Sequence, residues 1–164
     1  MPQEAQCNRN ELFQDHSLNS TTRMTHRSIL PIIQNLYAKT RFRVESEHDR
    51  ADLLALSEHE NIAILSAYAT TGQQWTDAEN TAADHALQQD LASPIRITGY
   101  DPTGDHQEPS WALALPLDQA LQLGTTYKQL AIFTITAGTL TIHSCCSQDP
   151  PYEVGNFLTQ LDHH

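Results

Sequence analysis

The stretch "NIAILSAYAT", residues 61–70, constrains this chain most. It is nearly continuous in apolar and small residues and rich in strand formers. Half-exposed strands alternate; a run without polar alternation reads as a strand in the middle of a sheet. The rest of the chain must therefore supply neighbouring strands and the helices that cover them. Only 39% of the 164 residues are hydrophobic, so the core cannot extend along the whole chain. The deficit falls in residues 1–28, "QCNRNELFQDHSLNSTTRMTHRS" and its flanks, which are polar and without apolar period. They are expected to form a flexible N-terminal arm.

From Ile29 the pattern becomes regular. Ile29, Ile32, Ile33, Leu36 and Tyr37 have helical spacing, with Pro31 tolerable in a first turn. "TRFRV" alternates as a half-exposed strand, and "DRADLLALSEHE" predicts a short helix. After the central strand, "TDAENTAADHALQQDLA" predicts a helix opened by a capping box, Thr76 with Glu79, and buried along Ala83, Leu87 and Leu91. "PIRITGY" and "WALALPL" read as two strands. "LDQALQLGTTYK" puts Leu117, Ala120, Leu121, Gly124 and Tyr127 on one helical face. "QLAIFTITAGTLTIHSC" reads as a hairpin turning at Ala137-Gly138. The expectation is an α+β fold: a single domain over residues 29–146, with a mostly antiparallel sheet and helices packed on one face. Pro150-Pro151 reads as a stop signal, so residues 147–164 are expected as a C-terminal tail or short helix near Phe157.

Charge narrows the partners. The formal net charge is −11, unevenly placed: residues 1–50 carry seven Lys/Arg and six Asp/Glu, and residues 51–164 carry Arg96 and Lys128 against fourteen acids. Such a surface repels phosphate backbones and argues against direct nucleic-acid binding. Basic partners, cations and neutral small molecules are accommodated more easily, and the same charge also serves solubility. No run approaches the roughly 20 apolar residues that span a bilayer, so no membrane partner is expected. Three cysteines, Cys7, Cys145 and Cys146, do not make a disulfide framework. Reduced thiols and the lack of a signal-like apolar segment in "MPQEAQCNRNELFQ" lead to a cytoplasmic expectation.

The densest polar stretch is "GYDPTGDHQEPSW", residues 99–111. Pro102 and Gly104 suit a turn between two strands. Asp101, Asp105, His106 and Glu108 also suit a binding loop, or a catalytic loop in which Glu108 or Asp105 acts as base and His106 carries protons. The spacing matches neither a calcium loop nor a zinc pattern, so no metal is expected. No phosphate-cradling glycine motif and no nucleophile elbow occurs, and no cofactor is expected. His143 beside Cys145 and Cys146 allows a Cys–His pair only if the fold brings and orients them together.

Several segments together resemble one family: "YAKTRFRV", "IAILSAYATTGQQWTDAEN", "TAADHALQQDL", "ITGYDPTGDHQEPSWAL" and "LGTTYKQLAIFTI". The series resembles the bacterial domain-of-unknown-function family 3293 over roughly residues 37–144. Tyr68 in "SAYAT", Glu79-Asn80, the loop from Gly99 to Ser110, and Gln129-Leu130-Ala131 stand for its motifs. Two departures are an Ala69-Thr70 where the family has Asn-Pro, and Ala83-Asp84 where an arginine commonly follows. The resemblance implies a small cytoplasmic α+β domain and brings no established activity. It groups Tyr68, Asn80, Glu108, Ser110 and Gln129 as ligand- or partner-binding positions, all at strand or helix ends. The expected function is a binding or regulatory domain, more readily non-enzymatic, that holds a protein partner or small polar ligand. The alternatives are a hydrolase-type enzyme using Glu108, Asp105 and His106, and an acidic mimic that occupies a nucleic-acid-binding protein.

Overall fold

The computed structural model describes residues 27–68 and 74–163. Most of the expected arm, residues 1–26, lies outside them. Four helices and seven strands are formed: α1 (Leu30–Asn35), a 3-10 turn at Tyr37–Lys39, β1 (Arg41–Arg43), α2 (Glu47–Ser57), β2 (Ile62–Leu65), α3 (Asp77–Gln89), β3 (Ile95–Tyr100), β4 (Gln107–Ala114), α4 (Leu117–Thr126), β5 (Ala131–Thr136), β6 (Thr139–Ser144), β7 (Tyr152–Asn156) and a 3-10 turn at Phe157–Thr159. The strands make one antiparallel sheet in the order β1-β3-β4-β2-β5-β6-β7. The α+β class and the single domain read from the sequence are therefore seen.

β2 is the middle strand and all four of its residues are buried. Its side chains alternate between two cores, as the pleat requires. Ile62 and Ile64 enter a first core with Ile33 of α1, Leu53 of α2, Phe42 and Phe133. Ala63 and Leu65 enter a second with Leu87 of α3, Ala120 of α4, Trp111 and Leu113. The helices thus divide between both faces, α1 and α2 on one and α3 and α4 on the other, which corrects the expectation of one covered face. The physical reason is the run itself: a strand apolar at every position needs cover on each side.

The second correction concerns the C-terminal segment. Tyr152–Asn156 pairs with β6 through a register shift at Leu140/Thr141, and it is a strand rather than a tail. Beyond it, Phe157 and Leu161 are fully buried in the first core. Leu161 then forms a parallel bridge to Phe42 of β1, at the opposite edge of the sheet. For the chain leaving β7 to reach β1, the sheet must curl around the first core. Phe42 fixes that closure, edge-on to Phe133 at 5.1 Å and tilted against Phe157 at 5.9 Å. Asp162 follows, and its carboxylate accepts from the Tyr100 hydroxyl at 2.7 Å and the Arg41 guanidinium at 3.3 Å. The start of α1 is held similarly: the Asp149 carboxylate accepts from the Ile29 amide at 2.7 Å and the Ser147 hydroxyl at 2.7 Å.

Two local devices set the second layer. Gly124 lets α4 lie close on the sheet: a Cβ there would stand 2.6 Å from Cys145 Sγ and 2.7 Å from Ile132 Cγ2. The β5–β6 turn has positive φ at both Ala137 (48°) and Gly138 (77°), the geometry of a two-residue hairpin turn that suits Asn-Gly. Gly124→Ala should cost about 1–3 kcal/mol through overpacking, read from the urea midpoint. Ala137→Asn should instead add roughly 0.5–1 kcal/mol by relieving a left-handed alanine. An unchanged midpoint for Gly124→Ala would mean that α4 is free to slide off the sheet.

Candidate functional site

The stretch from Gly99 to Trp111 is a hairpin connection between β3 and β4. Asp101 organises it. Its carboxylate accepts from the Thr103 amide at 2.8 Å and the Thr103 hydroxyl at 2.7 Å, and its carbonyl accepts from the Gly104 amide. These bonds hold the Asp101 carboxyl below its ordinary pKa, the Thr103 amide first and the hydroxyl second. Thr103, Gly104, Asp105 and His106 are exposed. His106 Nε2 stands 3.5 Å from Glu108 Oε2, with 70% of the His106 side chain exposed. The Glu108 carboxylate raises the His106 pKa above the ordinary value, against a smaller opposing effect of burial. The segment is a turn with an exposed imidazole–carboxylate pair at its exit.

The binding positions meet more closely. α4 ends in a Schellman motif: the Gln129 amide donates to the Gly124 carbonyl at 2.8 Å and the Lys128 amide to the Thr125 carbonyl at 3.0 Å, with Lys128 left-handed at φ 58°. That motif aims the buried Gln129 side chain, whose amide donates to the Tyr68 carbonyl at 2.9 Å and the Tyr127 carbonyl at 3.3 Å. Next to Tyr68, the Ser66 hydroxyl donates to the Pro109 carbonyl and accepts from the Tyr68 amide. The Ser110 hydroxyl, also buried, donates to the Glu108 carbonyl. Tyr68, Glu108, Ser110 and Gln129 thus gather at one end of the sheet, where β2 finishes and β4 and β5 begin.

Asn80 does not join them on the same face. It lies one turn before Asp84 on α3, which packs on the face of Trp111 and Leu113. Glu108 and Ser110 alternate with those residues and follow Ala112, which is in the first core. The sheet stands between Asn80 and this pair. Both Ala69 and Thr70, where the chain departs from the family pattern, lie outside the described residues.

Leu65, Tyr68, α3, the β3–β4 hairpin, α4 and Gln129 form one continuous stretch of chain, ending where β5 starts. Residues 65–132 match the family described as Protein of unknown function (DUF3293). The match contains all five grouped positions and lies within the span over which the sequence resembles that family. Searches of curated proteins and of solved structures find no match.

Within the DUF3293 segment the structure reveals a cluster that sequence reasoning missed. Asp84, buried on α3, accepts two bonds from Arg96 of β3, at 3.0 and 2.6 Å, and one from the Trp111 indole at 3.0 Å. Arg96 and Trp111 face each other across β3 and β4, and the guanidinium lies 3.6 Å from the indole ring centroid. A signal was present: Asp84 stands four residues after Asn80 and three before Leu87, on the apolar face of α3. An acid there needs a partner, and Arg96 and Lys128 are the only Lys/Arg residues in 51–164. The cluster pins α3 to the sheet and has the form of a structural tie.

The cysteines separate too. Cys145 packs against the second core and Cys146 against the first. His143 Nε2 is engaged with the Thr134 hydroxyl at 2.9 Å, and burial lowers its pKa. Among the described residues no group of three or more His, Cys, Asp or Glu is gathered as a metal site requires. No described helix is long and apolar enough to cross a membrane.

Two outcomes are expected. Removing Asp84 with Asp84→Ala should cost about 2–3 kcal/mol, less than the roughly 3–5 of a fully buried pair, because the Arg96 side chain is 32% exposed. Denaturant unfolding and a shifted Trp111 indole N–H resonance check it. Second, His106 should titrate above about 6.5, and Glu108→Gln should bring it down. Because the folded pKa is raised, any stability from the pair is present below the unfolded value and lost as pH rises through the folded one. An NMR titration in which Glu108→Gln leaves His106 unmoved would remove the pair.

Proposed function

We propose that this chain is a small binding or regulatory domain, non-enzymatic and cytoplasmic, that holds a protein partner or a small polar ligand at the sheet end formed by Tyr68, Ser110, Glu108 and Gln129. One observation carries the reading. The buried Gln129 amide ties the Tyr68 carbonyl to the end of α4 across 61 residues of sequence. A buried side chain committed to backbone carbonyls makes a rigid platform, and rigid platforms at strand ends are where polar ligands are held. Glu108, half-buried near the start of β4, offers a carboxylate at this sheet end.

The hydrolase alternative draws less support from the same geometry. Asp105 and His106 stand in solvent, and the Glu108 carboxylate faces His106, whose raised pKa favours the charged form that cannot accept a proton. The acidic-mimic alternative rests on net charge alone.

Quantitative affinity capture with the full chain tests the proposal. A bound partner or small molecule should be lost with Tyr68→Ala and with Glu108→Ala, and kept with Leu117→Ala, an exposed change on α4. Melting temperatures of the Tyr68 and Glu108 variants should stay close to that of the parent. Capture that survives both substitutions would refute the assigned sheet end. Turnover abolished by Glu108→Gln in a fully folded protein would favour the enzyme.

A further inference from the structure

A concavity lies at the last residues of β4, the end of that strand opposite Glu108. It has a cavity volume of about 560 Å³ and runs along α4 beside the carboxyl end of α3. The floor is apolar, with Leu91, Leu113, Leu115 and Leu123. The rim carries amide and hydroxyl groups and one ionisable side chain, Asp90. The volume falls within the roughly 300–1,000 Å³ of small-molecule sites, and so does the pattern of apolar walls with few polar groups.

The electrostatics of this groove have one sign. Asp90 is the C-cap residue of α3, and no basic residue occupies the last turn of that helix. The helix dipole therefore adds partial negative charge at the carboxylate. The Tyr127 hydroxyl donates to Asp90 Oδ2 at 2.6 Å, while Oδ1 accepts no hydrogen bond among the described residues. Burial and the Asp90 carboxylate push the Tyr127 phenol up to about 12, so it remains a donor and never competes as an anion. Of the two basic side chains in residues 51–164, Arg96 is bound to Asp84 and Lys128 does not line the groove.

We propose that this groove binds a small organic cation, a primary ammonium carried on a short hydrocarbon body. The ammonium meets Asp90 Oδ1 at the end of α3, and the hydrocarbon lies on the four leucines. A single carboxylate is too few for a divalent metal ion, whose sites gather several oxygen ligands. An anion meets both a carboxylate and the negative end of a helix. The site is independent of the sheet end assigned above, and neither depends on the other.

The test is an amide NMR titration of the full chain with n-hexylamine, n-hexanol and hexanoate at constant ionic strength. n-Hexylammonium should shift Asp90, Leu91, Leu115 and Leu123 saturably, with Kd on the order of 1 mM. Hexanol should bind about tenfold more weakly and hexanoate not at all. Asp90→Asn should bring hexylammonium to the level of hexanol. Gln122→Lys, which places a fixed ammonium on the exposed rim, should abolish amine binding whatever becomes of the first variant. Equal binding of hexylammonium and hexanol would overturn the proposal. So would shifts scattered over the acidic surface, or amine binding unchanged in Gln122→Lys.

Discussion

β2 carries apolar side chains on both of its faces, and this constraint orders the whole molecule. A strand with Ile62 and Ile64 on one side and Ala63 and Leu65 on the other cannot face water on either. Two layers of helix must cover it, and neighbours must occupy both its edges. β4 and β5 fill the edges, α1 and α2 cover one face, and α3 and α4 cover the other. The size of the side chains follows. Small residues on the second face, Ala63, Ala67, Ala112 excepted as it turns the other way, and Ala120, permit the close approach that Gly124 completes. Larger residues on the first face, with three phenylalanines, fill the space that the curled sheet encloses.

Charge is then used as fastening. The Asp84 carboxylate joins α3 to β3 and β4 and is fully hydrogen-bonded, which is the condition for burying an acid at modest cost. Asp149 and Asp162 fasten the two ends of the described chain. Burial alone would push the Asp149 carboxyl up, but the Ser28 and Ser147 hydroxyls and the Ile29 and Leu30 amides together outweigh it and hold its pKa low. Tyr100 and Asp162 raise the Arg41 pKa in the same way at the other closure. A chain with fourteen acids beyond residue 50 thus spends at least three on its own architecture. The net charge alone was therefore a poor guide to what the surface offers a partner.

What was legible in the sequence was local. The Thr76–Glu79 capping box needs only residues three positions apart, and both of its halves form, with the Thr76 amide donating to Glu79 at 2.7 Å. The hairpin at Ala137-Gly138 is equally local. β7 was not legible, because Tyr152–Asn156 includes Glu153 and Gly155 and follows two prolines; its pairing depends on β6 and a bulge. The division of helices between two faces was legible in principle from the unbroken run at β2, but it required weighing that run against the hairpin pattern elsewhere. At the site, Tyr68 and Gln129 do meet. Asn80 does not share the face of Glu108, since side-chain parity in a sheet depends on which residue enters register first.

The hairpin from Gly99 to Trp111 shows why density of ionisable groups misleads. Asp101 is one of four ionisable residues crowded there, and its carboxylate is consumed by the turn. A carboxylate that accepts two local bonds has lost the basicity that catalysis needs, because both bonds favour its charged form. Asp90 presents the opposite case. It stands in an unremarkable sequence, "QQDLA", yet it ends a helix, keeps one oxygen without a partner among the described residues, and faces four leucines. Availability, rather than crowding, separates a carboxylate that can recognise a ligand from one that shapes a turn.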